Sequence, residues 1–274
     1  MIPAAFDYIR AGSVDEAIAG LAEHGDEAKL LAGGHSLLPL MKLRLAAPEV
    51  LIDIGRLDTL SYVNDGGDHI AIGALTRHRD VEISDLVNAD VPLLSATTRH
   101  VGDPQVRHRG TIGGSIAHGD PASDIPAALL AMNATMVAKG PDGDRSIAAD
   151  DFFSGFLETA LTDGEILTEI RIPKHTGVGY SFQKFNRRAQ DWAIVGVAAV
   201  HGNGMAGVGL VNMDARPIRA AAVEAALGEG ASAADAAAQA AEGVSPSSDL
   251  NASAEYRQHL ARVLTRRALE EAAG

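Results

Sequence analysis

The sequence predicts an α+β chain made of two units that mix short strands with helices, followed by a module of different pattern. Three observations carry this reading. Strand-length apolar runs, glycine turns and amphipathic segments alternate over the opening of the chain. Turn signals at Asn64-Asp-Gly-Gly-Asp68 separate that opening from a second strand-and-helix unit, and Pro173-Lys-His-Thr-Gly177 marks the best internal boundary. Beyond it three strand-like runs come first and helices follow, the pattern of an appended α+β module.

In the first unit Ser13-Val-Asp-Glu16 reads as a capping box, the Ser13 hydroxyl and the Glu16 carboxylate each satisfying a free backbone N–H. Apolar positions then continue to Leu21, and Gly25 stops the helix. Residues 29–32 form a short strand ended by Gly33-Gly34, and Val50-Leu-Ile-Asp-Ile54 is a β-branched run of strand length. In the second unit 69–72 reads as a strand, 76–87 and 93–101 as helices, and 125–132 as an apolar, alanine-rich segment. A strand over 135–139 precedes the Pro141-Asp-Gly143 turn, and 165–172 alternates up to Pro173, where a strand must end or lie at an edge. The last module has strand-like runs over 180–185, 193–200 and 207–212, then helices over 219–227, 232–241 and 252–272. Alanine enrichment across 220–241 favours helix and reads as packing.

Composition narrows the chemistry. Over 274 residues there is no cysteine, which excludes a disulfide framework, a Cys-ligated zinc site, an iron–sulfur cluster on the chain's own thiolates and a cysteine nucleophile. Any redox work therefore needs a bound cofactor. A net charge of −13 argues against nucleic-acid and anionic-lipid surfaces, which call for clustered Lys and Arg. The N-terminus shows no basic region followed by an apolar one, and the longest apolar run, 193–200, falls far short of the roughly 20 residues that span a bilayer. The expectation is a soluble, cytoplasmic protein.

Two glycine-rich motifs stand out, Ala32-Gly-Gly-His-Ser36 and Gly110-Thr-Ile-Gly-Gly-Ser-Ile-Ala-His118. Paired glycines allow positive φ and close backbone approach, so that successive N–H groups form a nest for an anion, with Ser36, Thr111 and Ser115 adding hydroxyls. Tight turns are the plain alternative. Gly202-Asn-Gly-Met-Ala-Gly207 fits G-x-G-x-x-G literally, but a strand-like Val208-Gly-Leu-Val211 follows where a phosphate-binding helix should start, so it reads as a hairpin turn. The ten histidines show no metal-binding spacing; most read as surface or capping residues, and only His35 and His118 adjoin a glycine motif. Neither motif matches a G-x-S-x-G nucleophile elbow. By spacing Asp124 is an N-cap for the apolar run after it, or else a carboxylate accepting hydrogen bonds from ligand hydroxyls. Lys184-Phe-Asn-Arg-Arg-Ala-Gln-Asp-Trp192 is either a solvated basic loop or a holder for a planar aromatic ligand, Trp192 stacking and Lys184 opposing negative charge.

Taken together, these residues resemble the FAD-binding medium subunits of molybdenum hydroxylases, the xanthine dehydrogenase family, and most nearly those of carbon monoxide dehydrogenase type. The resemblance rests on Lys29-Leu-Leu-Ala-Gly-Gly-His-Ser-Leu-Leu-Pro-Leu-Met-Lys-Leu-Arg-Leu45 and Gly110-Thr-Ile-Gly-Gly-Ser-Ile-Ala-His-Gly-Asp-Pro-Ala-Ser-Asp124. Gly164-Glu-Ile-Leu167, Ile170-Arg-Ile-Pro173, 184–192, Glu255-Tyr-Arg257 and Arg266-Arg-Ala268 add to it, in order along the whole chain. It implies two α/β FAD-binding subdomains of the vanillyl-alcohol oxidase (PCMH) type, over 1–57 and 58–176, and over 177–274 an α+β domain with a small antiparallel sheet and helices.

By position, Ala32, Gly33, Gly34, His35 and Ser36 with Thr111, Ile112, Gly113, Gly114 and Ser115 would bind the FAD diphosphate. Asp124 would contact ribityl or ribose hydroxyls, Leu167 and Lys184 would lie by the isoalloxazine, and Trp192 stands where close relatives carry an aromatic. Ser115 departs from the Asn or Asp common there. The resemblance implies non-covalent FAD and no catalytic residue or metal ligand on this chain. It implies partners too: a large molybdopterin-binding subunit and a small [2Fe–2S] subunit in a dimer of heterotrimers. Electrons would pass from those clusters to this FAD and on to an external acceptor, a quinone or another. Carbon monoxide is the expected substrate of the complex, with N-heterocycles, aldehydes and xanthine as alternatives; the complex would be cytoplasmic or peripheral at the inner membrane face. A standalone flavin oxidase and a non-redox nucleotide-binding scaffold are the other readings.

Overall fold

The structure, a computed structural model, describes residues 2–274. It opens with β1 (Asp7–Arg10), α1 (Val14–His24), β2 (Ala28–Leu31), α2 (Leu37–Leu43) and β3 (Val50–Asp53). The strands form a parallel sheet in the order β1-β3-β2, with α1 and α2 as the crossovers that parallel pairing requires. The capping box is present in a shifted form: Ser13 Oγ accepts from Glu16 N at 3.1 Å, while Glu16 Oε2 accepts from the N–H of Gly12, one residue before the cap, at 2.7 Å. Ala17 and Ile18 of α1 pack on Ile52, and Leu75 and Ile166 of the next unit close this core. Strand β1 was not expected from the sequence; it is short, exposed and at an edge.

The second unit carries β4 (Val63–Asp65), β5 (His69–Gly73), α3 (His78–Ile83), α4 (Asp85–Asp90), α5 (Pro92–Thr98), α6 (Pro104–Arg109), α7 (Ile112–His118) and α8 (Asp124–Ala131). After these come β6 (Thr135–Gly140), β7 (Gly143–Ala148), α9 (Ala149–Phe152), the small hairpin β8 (Phe153–Gly155) and β9 (Glu158–Thr159), and β10 (Ile166–Pro173). Its main sheet is antiparallel in the order β4-β5-β10-β6-β7, so β10 lies at the centre and Pro173 ends it. Ile70, Ile72, Ile170 and Ile172 pack with the wholly buried residues of α8, each such side chain contributing about 1.5–3 kcal/mol of burial. The single helix expected over 76–87 is corrected to two. Ser84 takes extended dihedrals (φ −64°, ψ 125°) and its hydroxyl accepts from Val87 N, restarting the chain as α4.

The last unit consists of β11 (Gly179–Phe185), β12 (Val195–Gly202), β13 (Met205–Val211), β14 (Ile218–Arg219), α10 (Ala221–Gly228), α11 (Ala233–Ala237) and α12 (Ala254–Ala272). The strands pair antiparallel in sequence order. The G-x-G-x-x-G stretch is the hairpin expected: Asn203 (φ 53°) and Gly204 (φ 78°) turn β12 into β13. One face of this sheet carries α12; against the other, Gly207 and Gly209 of β13 meet the Ala131 and Ala127 carbonyls of α8, where any Cβ would collide. Helix α8 thus lies against the C-terminal sheet, while its buried side chains belong to the same core as Ile70, Ile72, Ile170 and Ile172. Among the described residues no helix is long and apolar enough to cross a membrane.

Candidate functional site

A cavity of about 530 Å³ opens where the three sheets converge, within the usual range for small-molecule sites. Its wall is mostly apolar. Every residue expected at the site lines it except Ile112.

The first glycine motif follows β2. Gly34 adopts φ 76°, open to glycine at no steric cost, and His35 Nδ1 lies 3.1 Å from Gly33 O. The N–H groups of Gly33, Gly34, His35 and Ser36 have no hydrogen-bond partner among the described residues, and these residues line the cavity. That is an anion nest. Gly33 serves another purpose: a Cβ there would stand 2.5 Å from Arg109 O and 2.9 Å from Gly110 Cα. The two motifs touch backbone to backbone at this point.

The second motif is not a turn. Thr111 caps α7, its Oγ1 accepting from Gly114 N at 3.2 Å, and Gly113 and Gly114 are helical residues. Gly113 is required by packing, since a Cβ would lie 2.5 Å from Ala74 Cβ. The N–H groups expected to form a nest here are already used: Ile112 donates to Thr76 O, Gly113 to Ala74 O, and Ser115 to Thr111 O. Ile112 lies behind this wall: its side chain is fully buried in the core and its N–H is paired. Thr111, Gly113, Gly114 and Ser115 form cavity wall instead, Ser115 Oγ sitting 2.9 Å from Ser123 Oγ.

Asp124 is not the N-cap. Ser123 holds that position, and Asp124 enters the first turn of α8 with its carboxylate buried. Lys184 Nζ, from β11, donates to Asp124 Oδ2 at 2.7 Å and to His100 O at 3.0 Å, both side chains of the pair being 6% exposed. Burial raises the Asp124 carboxyl to about 6, with Lys184 pulling the other way. Asp124 Oδ1 is buried with no partner, a costly state unless a ligand donates to it. Leu167 contributes an apolar wall next to a bulge in β10. Trp192 lies at the mouth and is 59% exposed, on a loop braced by the Arg188–Asp191 pair.

Sequence reasoning missed His78, Lys29 and the stretch Val101-Gly102, all of which line the cavity. By sequence His78 reads as one of the surface or capping histidines, yet it is buried, and burial together with His35, Arg107 and Arg77 lowers its pKa to about 4. Its position at the start of α3, one residue past an Arg, carried no periodic signal.

An anion nest, an unpaired carboxylate oxygen and an apolar wall in one cleft define a module that holds a nucleotide cofactor. The family described as FAD binding domain in molybdopterin dehydrogenase matches residues 4–175, and the CO dehydrogenase flavoprotein C-terminal domain matches 180–272. The carbon monoxide dehydrogenase medium chain of Hydrogenophaga pseudoflava is 42% identical, with 99% of this chain and 98% of that one covered. The glyceraldehyde dehydrogenase medium chain of Sulfolobus acidocaldarius is 40% identical over the whole of both. Carbon monoxide dehydrogenase from H. pseudoflava, solved without the Mo-pyranopterin moiety of its cofactor, superposes with a TM-score of 0.96 at 43% identity, covering 100% of this chain and 99% of that one. The chain belongs to the family of FAD-binding medium subunits of molybdenum hydroxylases. It is an oxidoreductase subunit that works within a multisubunit complex.

Proposed function

We propose that the cavity holds FAD without a covalent bond, and that Asp124 Oδ1, the one buried carboxylate oxygen on its wall left without a donor, receives a hydroxyl of the ribityl or ribose part. Gly33, Gly34, His35 and Ser36 turn free N–H groups toward the diphosphate, with Ala32, Thr111, Gly113, Gly114 and Ser115 as the surrounding wall. Lys184 and Leu167 lie against the isoalloxazine, where the ammonium of Lys184 opposes negative charge, and Trp192 covers the mouth. Bound FAD supplies reversible electron uptake and release between the [2Fe–2S] clusters of a small subunit and an external acceptor such as a quinone. The protein's part is to fix the ring, exclude water with the apolar wall and keep Lys184 oriented through Asp124 and His100 O. No side chain of this chain acts as a base on the substrate.

The same reading divides the chain at 57/58 and 176/177 into two FAD-binding subdomains and a C-terminal domain, which the extents of the three sheets support. Its partners are a large molybdopterin-binding and a small [2Fe–2S] subunit in a dimer of heterotrimers, in the cytoplasm or at the inner membrane face. Carbon monoxide is the substrate proposed for the complex, from the identity to the carbon monoxide dehydrogenase medium chain. An aldehyde is the second reading, favoured by the full-length match to a glyceraldehyde dehydrogenase medium chain. Purifying the native complex, measuring molybdenum, iron and flavin, and assaying CO, aldehydes and N-heterocycles tests both. CO oxidation with flavin present supports the first; turnover of aldehyde alone replaces it with the second.

A further inference from the structure

His78 sits behind the point where the two glycine motifs touch. Its main-chain N–H donates to Gly110 O, and a Cβ on Gly110 would lie 2.7 Å from His78 Cδ2 and 3.1 Å from Nε2. Gly110 in turn meets Gly33 of the anion nest, so the imidazole, Gly110 and the nest form one contiguous stretch of wall. The ring is 3% exposed and lines the cavity, while its Nδ1 is sealed from it with no hydrogen-bond partner.

These facts favour one tautomer. A neutral imidazole carries one N–H and one lone pair, and a buried N–H without a partner is rarer and costlier than an unpaired acceptor. The proton therefore belongs on Nε2, the nitrogen on the Gly110 side of the ring. We propose that His78 is a further cofactor-binding residue, donating from Nε2 to a phosphate oxygen of the dinucleotide held in the adjacent nest. A donor of this kind complements the backbone N–H groups of the nest on the same wall, alongside Lys29, which also lines the cavity.

The inference rests on the FAD reading of this cavity. The test is FAD titration of the flavin-free full-length chain in wild type, His78→Phe, His78→Gln and His78→Asn, with thermal unfolding of each flavin-free chain alongside. Glutamine presents an amide N–H near the Nε2 position, and asparagine near Nδ1. Loss of one hydrogen bond to a charged oxygen weakens FAD binding by about tenfold or more, expected in Phe and Asn, while Gln stays close to wild type. Nitrogen NMR of the wild-type imidazole should show the Nε2–H form. Equal affinity in all four chains, or an Nδ1–H tautomer, overturns the proposal. If Phe does not fold, the Gln and Asn pair decides alone: equal losses or no loss in both contradict it. A wild-type chain that binds no FAD defeats the FAD reading instead, so the two failures are distinct.

Discussion

Lys184 Nζ stands 2.7 Å from Asp124 Oδ2, so a single buried ion pair ties strand β11 of the C-terminal sheet to the first turn of helix α8 at the wall of the cavity. Removing one partner leaves a buried charge uncompensated, at a cost of about 3–5 kcal/mol. Lys184→Met should lower chain stability by an amount of that order in urea unfolding. The double change Lys184→Met with Asp124→Asn should recover most of it, because no bare charge remains. Equal losses in the single and double variants would show that the pair is not the source.

The same site makes acid stability a contest between two groups. Asp124, raised to about 6 by burial, binds its proton more tightly folded than unfolded, so its contribution grows as pH falls from about 6 toward 4. His78, lowered to about 4 by burial and by His35, Arg107 and Arg77, binds its proton more weakly folded, so its contribution is lost over about pH 6.5 to 4. Each has a limiting slope of about 1.4 kcal/mol per pH unit, and they oppose. In the flavin-free wild-type chain the contribution of Asp124 should thus offset that of His78 between about pH 4 and 6. Asp124→Asn should steepen the acid loss and His78→Gln should make it shallower, as read by unfolding at successive pH values, while His100 and His175, also lowered by burial, keep a loss in the same direction as His78.

Glycine positions separate packing from flexibility. Gly33→Ala drives a methyl against Arg109 O and should cost about 1–3 kcal/mol of stability while weakening FAD binding by parting the two motifs. Gly228, helical and with open space around it, is the control. Gly228→Ala should leave FAD affinity unchanged and stabilise the chain by about 0.4–1 kcal/mol. Calorimetry with FAD titration of both variants checks the pair of outcomes.

Much of the fold was legible where a side chain solves a local problem. Ser13 and Glu16 cap a helix, Asn203-Gly204 supplies the positive φ a hairpin needs, and Pro173 ends a strand. Legibility failed where the reason for a residue lies in another element. Gly113 looks like a turn residue because glycine is a poor helix former, but it is in a helix since Ala74 leaves no room for a Cβ. Ile112 reads in sequence like its neighbours in the motif, but Thr76 O takes its N–H and the core takes its side chain. His78 faces the cavity only because α3 packs behind the meeting of the two motifs, and β1 exists only because β3 is there to pair with it.

Trp192, mostly exposed at the cavity mouth, should matter for the ring of the cofactor and little for the fold. Trp192→Ala should keep the thermal midpoint of the flavin-free chain within about 2 °C, since exposed substitutions usually stay within ±0.5 kcal/mol. With FAD added, flavin fluorescence should rise relative to wild type as a stacking partner is lost.

The most direct measurement is a titration of the flavin-free, full-length chain with FAD, followed by acid precipitation and analysis of the supernatant. One FAD should bind per chain with a shifted flavin absorbance spectrum, Asp124→Asn should weaken it, and all of the flavin should appear in the acid supernatant. A folded chain that takes up no FAD would contradict the FAD assignment, and flavin retained in the precipitated protein would contradict its non-covalent attachment.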